Sequence, residues 1–586
     1  MGLFDSAHKA ANNQINSTTV NGDNISLLSA AELPDSYTLE DLHQDLVSDE
    51  KKGKNDEKLR DALVLASCLE QTEKLSRQDG DEDWRGKIEV WLAKEALPDG
   101  KVFTVDENLG KYADFVFLEC ISANSSTDDK TPEKELKAKQ YRYKYTLLLT
   151  SLSHILSLRV SPTTPPSDPT LLSLICYTSP KAPWNTSHTH TLSTTLLAPY
   201  KEYLQSPTFL ITYLLQTFIK PLFSHAPRPT TITPAARKAA PSSAPPRPFD
   251  FREHDPANQP WRSGVPYAMS VLEWIVQNID PPLLRTTAFP LLIPPLLTLL
   301  DSPSNSIRMQ ALSLLPPLFP KLSAPLLTQT GLASVFQDAI SPICLFLPSL
   351  TPPEDSVRLL PRAYEALWAL GGVLFEDSEV PVITSNDKEK QKEKEKQNAK
   401  LKYHTIILQH SLLPSFLSTQ DSPQLLLILL HTLSTLVQKL GIYTVKYLKD
   451  IIPLLTAILL NPLWLVSVQE VVIQTLRTLR EVILLGWMRV GRREWRLRVL
   501  EGLVGVGGGV RREEGELERE GGKGGERETK KKALEDVKHE IRETAKVFIV
   551  AVRASDDKEI REEFEEELRD VVKADERLGY IFAVVE

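Results

Sequence analysis

Histidines, cysteines, glycine-rich loops and aromatic rings are the residues of this 586-residue chain whose types and spacing could do chemistry. "SHTHT" places His188 and His190 two apart, where a strand would turn both toward one ion. A zinc site needs further ligands at short spacing. Cys176 stands alone twelve residues before His188, so the stretch reads as a polar loop. The four cysteines, Cys68, Cys120, Cys176 and Cys344, are far apart and form no CxxC pair. That argues against a disulfide framework or a zinc module and, with no signal peptide read at the N-terminus, fits a reducing compartment.

The run "GVGGGV" invites a phosphate loop, but the dinucleotide spacing from Gly505 and Gly507 reaches Val510 where a third glycine is required. The pair Gly522-Lys523 is followed by Gly524 and not by Ser or Thr, so no Walker motif forms. No nucleophile elbow or HExxH is present. The expectation is no enzyme, no cofactor and no metal. The aromatic residues Trp261, Tyr267, Trp274, Trp464, Trp487 and Trp495 remain as candidate partner-binding residues. Aromatic rings anchor protein interfaces, though for each of these a core role is the readier reading; Trp274 lies inside an amphipathic pattern.

What would position these rings is a helical repeat. "LLIPPLLTLLDSPSNSIRMQALSLLPPLF" (291–319) is leucine-rich yet holds Pro294-Pro295 and Pro316-Pro317. Helix pairs start near Pro290, Gly331, Leu401 and Tyr443, with second helices near Ser306, Ser356, Ser422 and Val466. The uninterrupted steps, 290 to 331 and 401 to 443, are 41 and 42 residues, the period of HEAT or armadillo units. Ile307, Ala311, Leu314, Leu315 and Leu318 make one apolar helical stripe; Val468, Val472, Leu476, Leu479 and Ile483 make another. In such a stack a proline bend at a recurring position is offset by packing against neighbours, as at Pro294-Pro295 and Pro453. Asp301 and Arg308 flank the first turn and read as cap and solvated charge.

The expected fold is all-α: a HEAT/armadillo-like α-solenoid with a disordered N-terminal arm and low-complexity insertions. Residues 1–56 are polar and read as a mostly disordered arm, 57–225 as a first helical region. Residues 226–260 hold nine prolines in 35 residues and read as an extended, unpacked linker. The repeats occupy 261–500, interrupted by a Lys/Glu insertion (385–402) with no apolar face, a solvated loop or protruding helix. Residues 501–532 read as a Gly/charge-rich loop, with ten glycines in 502–532, and 533–586 as capping helices.

The net charge of −9 and the lack of a dense basic face argue against direct nucleic-acid binding. No run reaches the ~18 apolar residues of a membrane span. "MGLFDS" fits the loose myristoylation pattern at Gly2 and Ser6, but no polybasic segment follows, and lipidation is not expected.

"PWRSGVPYAMSVLEWIV", "PPLLTLLDSPSNSIRMQALSLL", "TGLASVFQDAISPICLFLPSLTPPEDSVRLLPRAYEALWAL" and "LRTLREVILLGWMRV" follow one another in this order. They resemble the family of the second Tel-two-interacting protein, the smallest subunit of the Triple-T co-chaperone complex, in a fungal-type form, over roughly 255–500. The sequence departs from that pattern after Asp301, where "SPSNSIRMQ" is nearly neutral, and at Met488, where the family often has proline. The resemblance implies a non-enzymatic HEAT-like scaffold that binds the large Tel-two-interacting subunit and, through it, the Tel-two protein. It also implies support of phosphatidylinositol-three-kinase-related kinases with the Hsp-ninety machinery, and cytoplasmic and nuclear localisation. From the repeat alone, a generic HEAT adaptor such as a transport factor fits as well.

Overall fold

The computed structural model describes residues 3–17, 26–49, 55–78, 80–103, 131–159, 164–224, 231–240, 259–348, 350–375, 387–419, 421–519, 525–555 and 557–582. Cys120, Gly2 and the Gly522-Lys523 pair lie outside these residues. Among the described residues no strand forms; only isolated bridges join Tyr37 to Leu75 and Ile232 to Lys238. The chain divides into two compact units, 1–335 and 336–586. That division falls well past the Pro-rich stretch expected to separate two halves.

The first unit opens with α1 (Asp5–Ser17), α2 (Leu39–Asp49), α3 (Asn55–Glu70), α4 (Asp81–Glu95) and α5 (Thr131–Ser157). It continues through α6 (Asp168–Ile175), α7 (Ser187–Leu197) and a π-helical stretch, Thr208–Ile219, to α8 (Ala268–Asn278), α9 (Phe289–Leu300) and α10 (Asn305–Leu318). The N-terminal arm is not disordered where it is described. α1 packs on α3 and α2 on α4, burying Phe4, Ala7, Ala11, Leu39, Leu42 and Leu46. The polar composition concealed this because a helix needs only one apolar residue in three or four to present a buried stripe.

Buried charges staple these helices. Glu95 of α4 accepts from Lys58 of α3 at 2.7 Å and from Lys144 of α5 at 3.2 Å. Burial pushes the Lys144 ammonium below its ordinary range, and Glu95 partly restores it. The Pro-rich linker is also packed in part. In 231–240 the Lys238 amide donates to the Thr330 carbonyl at 2.8 Å, and its ammonium donates to Ser334 at 2.7 Å. Gly331 adopts φ of +73° directly beside it; a Cβ there would lie 2.8 Å from the Lys238 Cβ, so both backbone and space call for glycine.

The second unit contains α11 (Pro353–Phe375), α12 (Asp387–Ile407), α13 (Pro423–Leu440), α14 (Leu448–Leu460), α15 (Gln469–Val490), α16 (Arg493–Arg519), α17 (Gly525–Arg553) and α18 (Lys558–Ala574). Helices two apart form the layers: α13 on α15 on α17, and α14 on α16. α14 and α16 begin at 448 and 493, 45 residues apart, and α13 and α15 at 423 and 469, 46 apart. This is the helical-hairpin period the sequence suggested, slightly longer. The stripe at Val472, Leu476, Leu479 and Ile483 is fully buried, each such side chain adding about 1.5–3 kcal/mol.

The prolines sit within continuing helices: Pro294 and Pro295 in α9, Pro316 and Pro317 in α10, Pro361 in α11 and Pro453 in α14. Two helical stretches, Pro281–Leu300 and Pro423–Leu460, are accordingly long and apolar enough to be compared with membrane spans. The sequence expectation that no run reaches that length does not hold for these two, because the helices continue through their prolines. Both stretches have half or more of their apolar window buried inside the protein, 56% and 50%.

The Lys/Glu insertion is the first part of α12, whose C-terminal end buries Tyr403, His404 and Ile407. The expected glycine loop at 502–519 is instead the body of α16. Glycine costs about 1 kcal/mol per residue in a helix, but Val499, Leu503, Val506 and Val510 form a buried stripe along it. The glycines let neighbours approach: a Cβ on Gly502 would lie 3.2 Å from Leu459 of α14, and one on Gly507 would collide with Ile581. α16 and α17 thus extend the hairpin stack beyond residue 500, where the repeat was expected to end.

Candidate protein-docking site

The six aromatic residues singled out from sequence divide sharply. Trp261 is 2% exposed and stacks on Phe223 with ring centroids 4.4 Å apart. Tyr267 stacks on Phe218 at 5.7 Å, and Trp274 meets Phe209 edge-on at 6.4 Å. Trp464 is buried at one wall of a small cleft of about 120 Å³ with Phe416, Leu426 and Leu454. These four hold the protein's own interior and present no free ring to a partner. Trp495 is half-buried. Trp487 is 43% exposed, on the solvent side of α15.

Trp487 is not alone there. Leu484 is 52% and Met488 64% exposed, and positions 484, 487 and 488 are i, i+3 and i+4 on one helix face. The opposite face carries buried Val482, Ile483, Gly486 and Val490. Gly486 lies against Leu448, where a Cβ would be 3.3 Å from Cδ2. The 3₁₀ turn Gly441–Tyr447, with exposed Ile442 and Tyr443, packs on the same helix. Contiguous exposed apolar side chains of this kind mark interaction surfaces. Sequence reasoning missed Leu484 and Met488. The signal was available: an apolar triplet at helical spacing, out of phase with the buried stripe at Val472, Leu476, Leu479 and Ile483.

Arginines of α15 and α16 tie these helices to their neighbours. Arg477 and Arg480 of α15 donate to Glu540 of α17 at 2.8 and 2.9 Å. Arg496 of α16 is fully buried. Its guanidinium donates twice to Glu567 of α18, both at 2.7 Å, to Glu563 at 3.0 Å, and to the Gly491 and Ile560 carbonyls at 3.1 and 3.4 Å. These carboxylates hold the guanidinium above its already high ordinary pKa against the opposing effect of burial. α18 thereby buries Phe564 and Leu568.

The other chemical candidates dissolve in the structure. His188 and His190 lie in α7, not on a strand or in a loop; Thr186 and Thr189 form a capping box at its start, and His190 Nδ1 lies 3.3 Å from the Tyr177 carbonyl. Residues two apart on a helix point to different sides, so they do not converge on an ion. Among the described residues no three metal-ligating side chains cluster. Cys68, Cys176 and Cys344 are buried free thiols; burial pushes Cys68 and Cys344 up to about 12 and Cys176 well above the ordinary value, so all three stay protonated. A cleft of about 110 Å³ in the first unit is lined by Trp184, Met269, Lys181, Glu273 and several serines, with no histidine or cysteine. Arg308 donates to Asn305 at 3.2 Å beside the turn that Asp301 ends.

The helical hairpins layered in the second unit, and the absence of strands among the described residues, define an all-α helical-repeat protein. The Tti2 family model matches residues 170–465, just over half of the sequence. The chain belongs to the Tti2 family. No curated protein matches it. Among solved structures, a crystal structure of a Kap121p variant is similar at 10% identity and a TM-score of 0.25. The match covers 93% of this chain and 58% of that one.

Proposed function

We propose that the protein is a non-catalytic scaffold subunit of the Triple-T co-chaperone complex. In this reading it binds the large Tel-two-interacting subunit and, through it, the Tel-two protein. With the Hsp-ninety machinery the assembly supports the maturation of phosphatidylinositol-three-kinase-related kinases, in cytoplasm and nucleus. The observation that carries the reading is the family match at 170–465. The helical-hairpin architecture is consistent with it, because such stacks bind partners along extended faces. The test is affinity purification of the full chain from its native cells followed by mass spectrometry. The large Tel-two-interacting subunit and the Tel-two protein should be recovered in near-stoichiometric amounts, and depletion of the chain should lower the levels of the client kinases. Recovery of neither subunit overturns the proposal.

A further inference from the structure

The stretch 481–500 carries five arginines against two glutamates, in a chain whose net charge is −9. Two of the five have partners within the molecule: Arg496 holds Glu563 and Glu567, and Arg498 pairs with Glu501 at 2.9 Å. Arg489, Arg492 and Arg493 are exposed. They follow the exposed ridge of Leu484, Trp487 and Met488 in sequence: Arg489 lies in the last turn of α15, Arg492 in the bend after Gly491 and Arg493 at the start of α16. On neighbouring α17, Glu543 is engaged by Lys546 at 2.6 Å, and Glu540 by Arg477 and Arg480. Glu481 and Glu494 are the carboxylates on the stretch itself.

The molecule already uses this combination once. α18 is an amphipathic acidic helix, "KEIREEFEEELRDVVKA", with Phe564 and Leu568 buried and Glu563 and Glu567 on Arg496. Its Ile560 side chain comes within 3.7 Å of where a Cβ on Gly491 would stand. The same pairing of apolar side chains with guanidinium groups is offered again at 484–493, where none of the described residues pairs with Arg489, Arg492 or Arg493.

The geometry points to a docking surface at Leu484, Trp487, Met488, Arg489, Arg492 and Arg493 for an acidic amphipathic helix of a partner protein. Its apolar face covers Trp487 and Met488, and its carboxylates meet the three arginines bidentately. The inference rests on the reading of the chain as a binding scaffold and adds where and by what chemistry it binds.

The test uses the full chain and a synthetic helical peptide with leucines at i, i+3, i+4 and i+7 and glutamates elsewhere, beside the same peptide with lysines in place of glutamates. Fluorescence anisotropy should show saturable binding of the glutamate peptide only, weakening as salt is raised. Trp487→Ala should weaken it about tenfold or more, as expected of an aromatic anchor, and the combined Arg489→Glu, Arg492→Glu and Arg493→Glu variant should abolish it. Met488→Gln provides the same test if the tryptophan variant melts early. Equal binding of both peptides, no binding of either, or variants that bind like the parent would overturn the inference. So would a concentration-dependent dimer in sedimentation that these substitutions dissolve, because the face would then belong to a second copy. Failure to recover the large Tel-two-interacting subunit from cells ends the scaffold assignment but leaves the peptide result to be judged separately.

Discussion

Removing Glu567 should harm the second unit more than removing Glu567 and Arg496 together. Arg496 is wholly buried, whereas Glu567 keeps 21% and Glu563 48% of its side chain exposed. In Glu567→Ala the guanidinium loses both 2.7 Å bonds and retains one half-exposed carboxylate and the Gly491 and Ile560 carbonyls. A buried charge stripped of its partner costs about 3–5 kcal/mol; the surviving Glu563 contact places the expected loss near the lower end, about 3 kcal/mol. In the double variant Arg496→Met, Glu567→Ala the stranded cation is gone and a methionine fills its stem. Glu563 can turn to water, so the loss should fall to about 1–2 kcal/mol. Thermal unfolding of the full chain, followed by circular dichroism, reads the order. A unit of this size moves about 2–4 °C per kcal/mol. Glu567→Ala should therefore melt roughly 6–12 °C below the parent, and the double variant between them. A double variant that melts at or below Glu567→Ala refutes the argument that the buried guanidinium is the source of the cost.

His404 is buried beside Trp368, Phe375 and Tyr403, and burial, followed by Lys439 and Lys400, lowers it to about 4. Its folded pKa lies below the unfolded value, so the unfolded chain binds the extra proton. Stability should decline as pH falls from about 6.5 toward 4, and His404→Leu should flatten that part of a pH–melting curve; an unchanged slope counts against it. Gly508 faces open space within α16, while a Cβ on Gly507 would collide with buried Ile581. Gly508→Ala should raise stability by about 0.5–1 kcal/mol, whereas Gly507→Ala should be neutral or harmful; urea titrations that rank them the other way refute the close-packing account. Replacing 386–398 by a Gly-Ser linker should leave the melting temperature nearly unchanged, because none of the described side chains in that segment is buried. Tyr403→Ala, a few residues on, should cost about 3 kcal/mol or more.

The repeat and its inner faces were legible because they are written in periodicity. Ile307, Ala311, Leu314, Leu315 and Leu318 are all buried as their spacing implied. Three features were not legible, for different reasons. α16 was hidden because glycine counts against a helix until one knows that Leu459 and Ile581 press upon it. α1 and α2 were hidden because their stripes are short and surrounded by polar residues. The aromatic residues misled because a tryptophan at helical spacing looks the same whether it stacks on Phe223, as Trp261 does, or faces water. The ridge at Trp487 was visible only in part. Which of its arginines are engaged is not written in the sequence: Arg496 and Arg498 have carboxylate partners, whereas Arg489, Arg492 and Arg493 pair with none among the described residues.

The layering of the second unit bears on how such a chain comes into being. Its main interhelical contacts join elements that begin 45 to 56 residues apart, α14 to α16, α13 to α15 and α15 to α17, and that separation grows little as hairpins are added. Relative contact order therefore stays low, and loop closure is inexpensive at every step. During synthesis each hairpin can dock on its predecessor soon after it emerges, without waiting for a distant strand or terminus. The growing end would bare one apolar layer at a time.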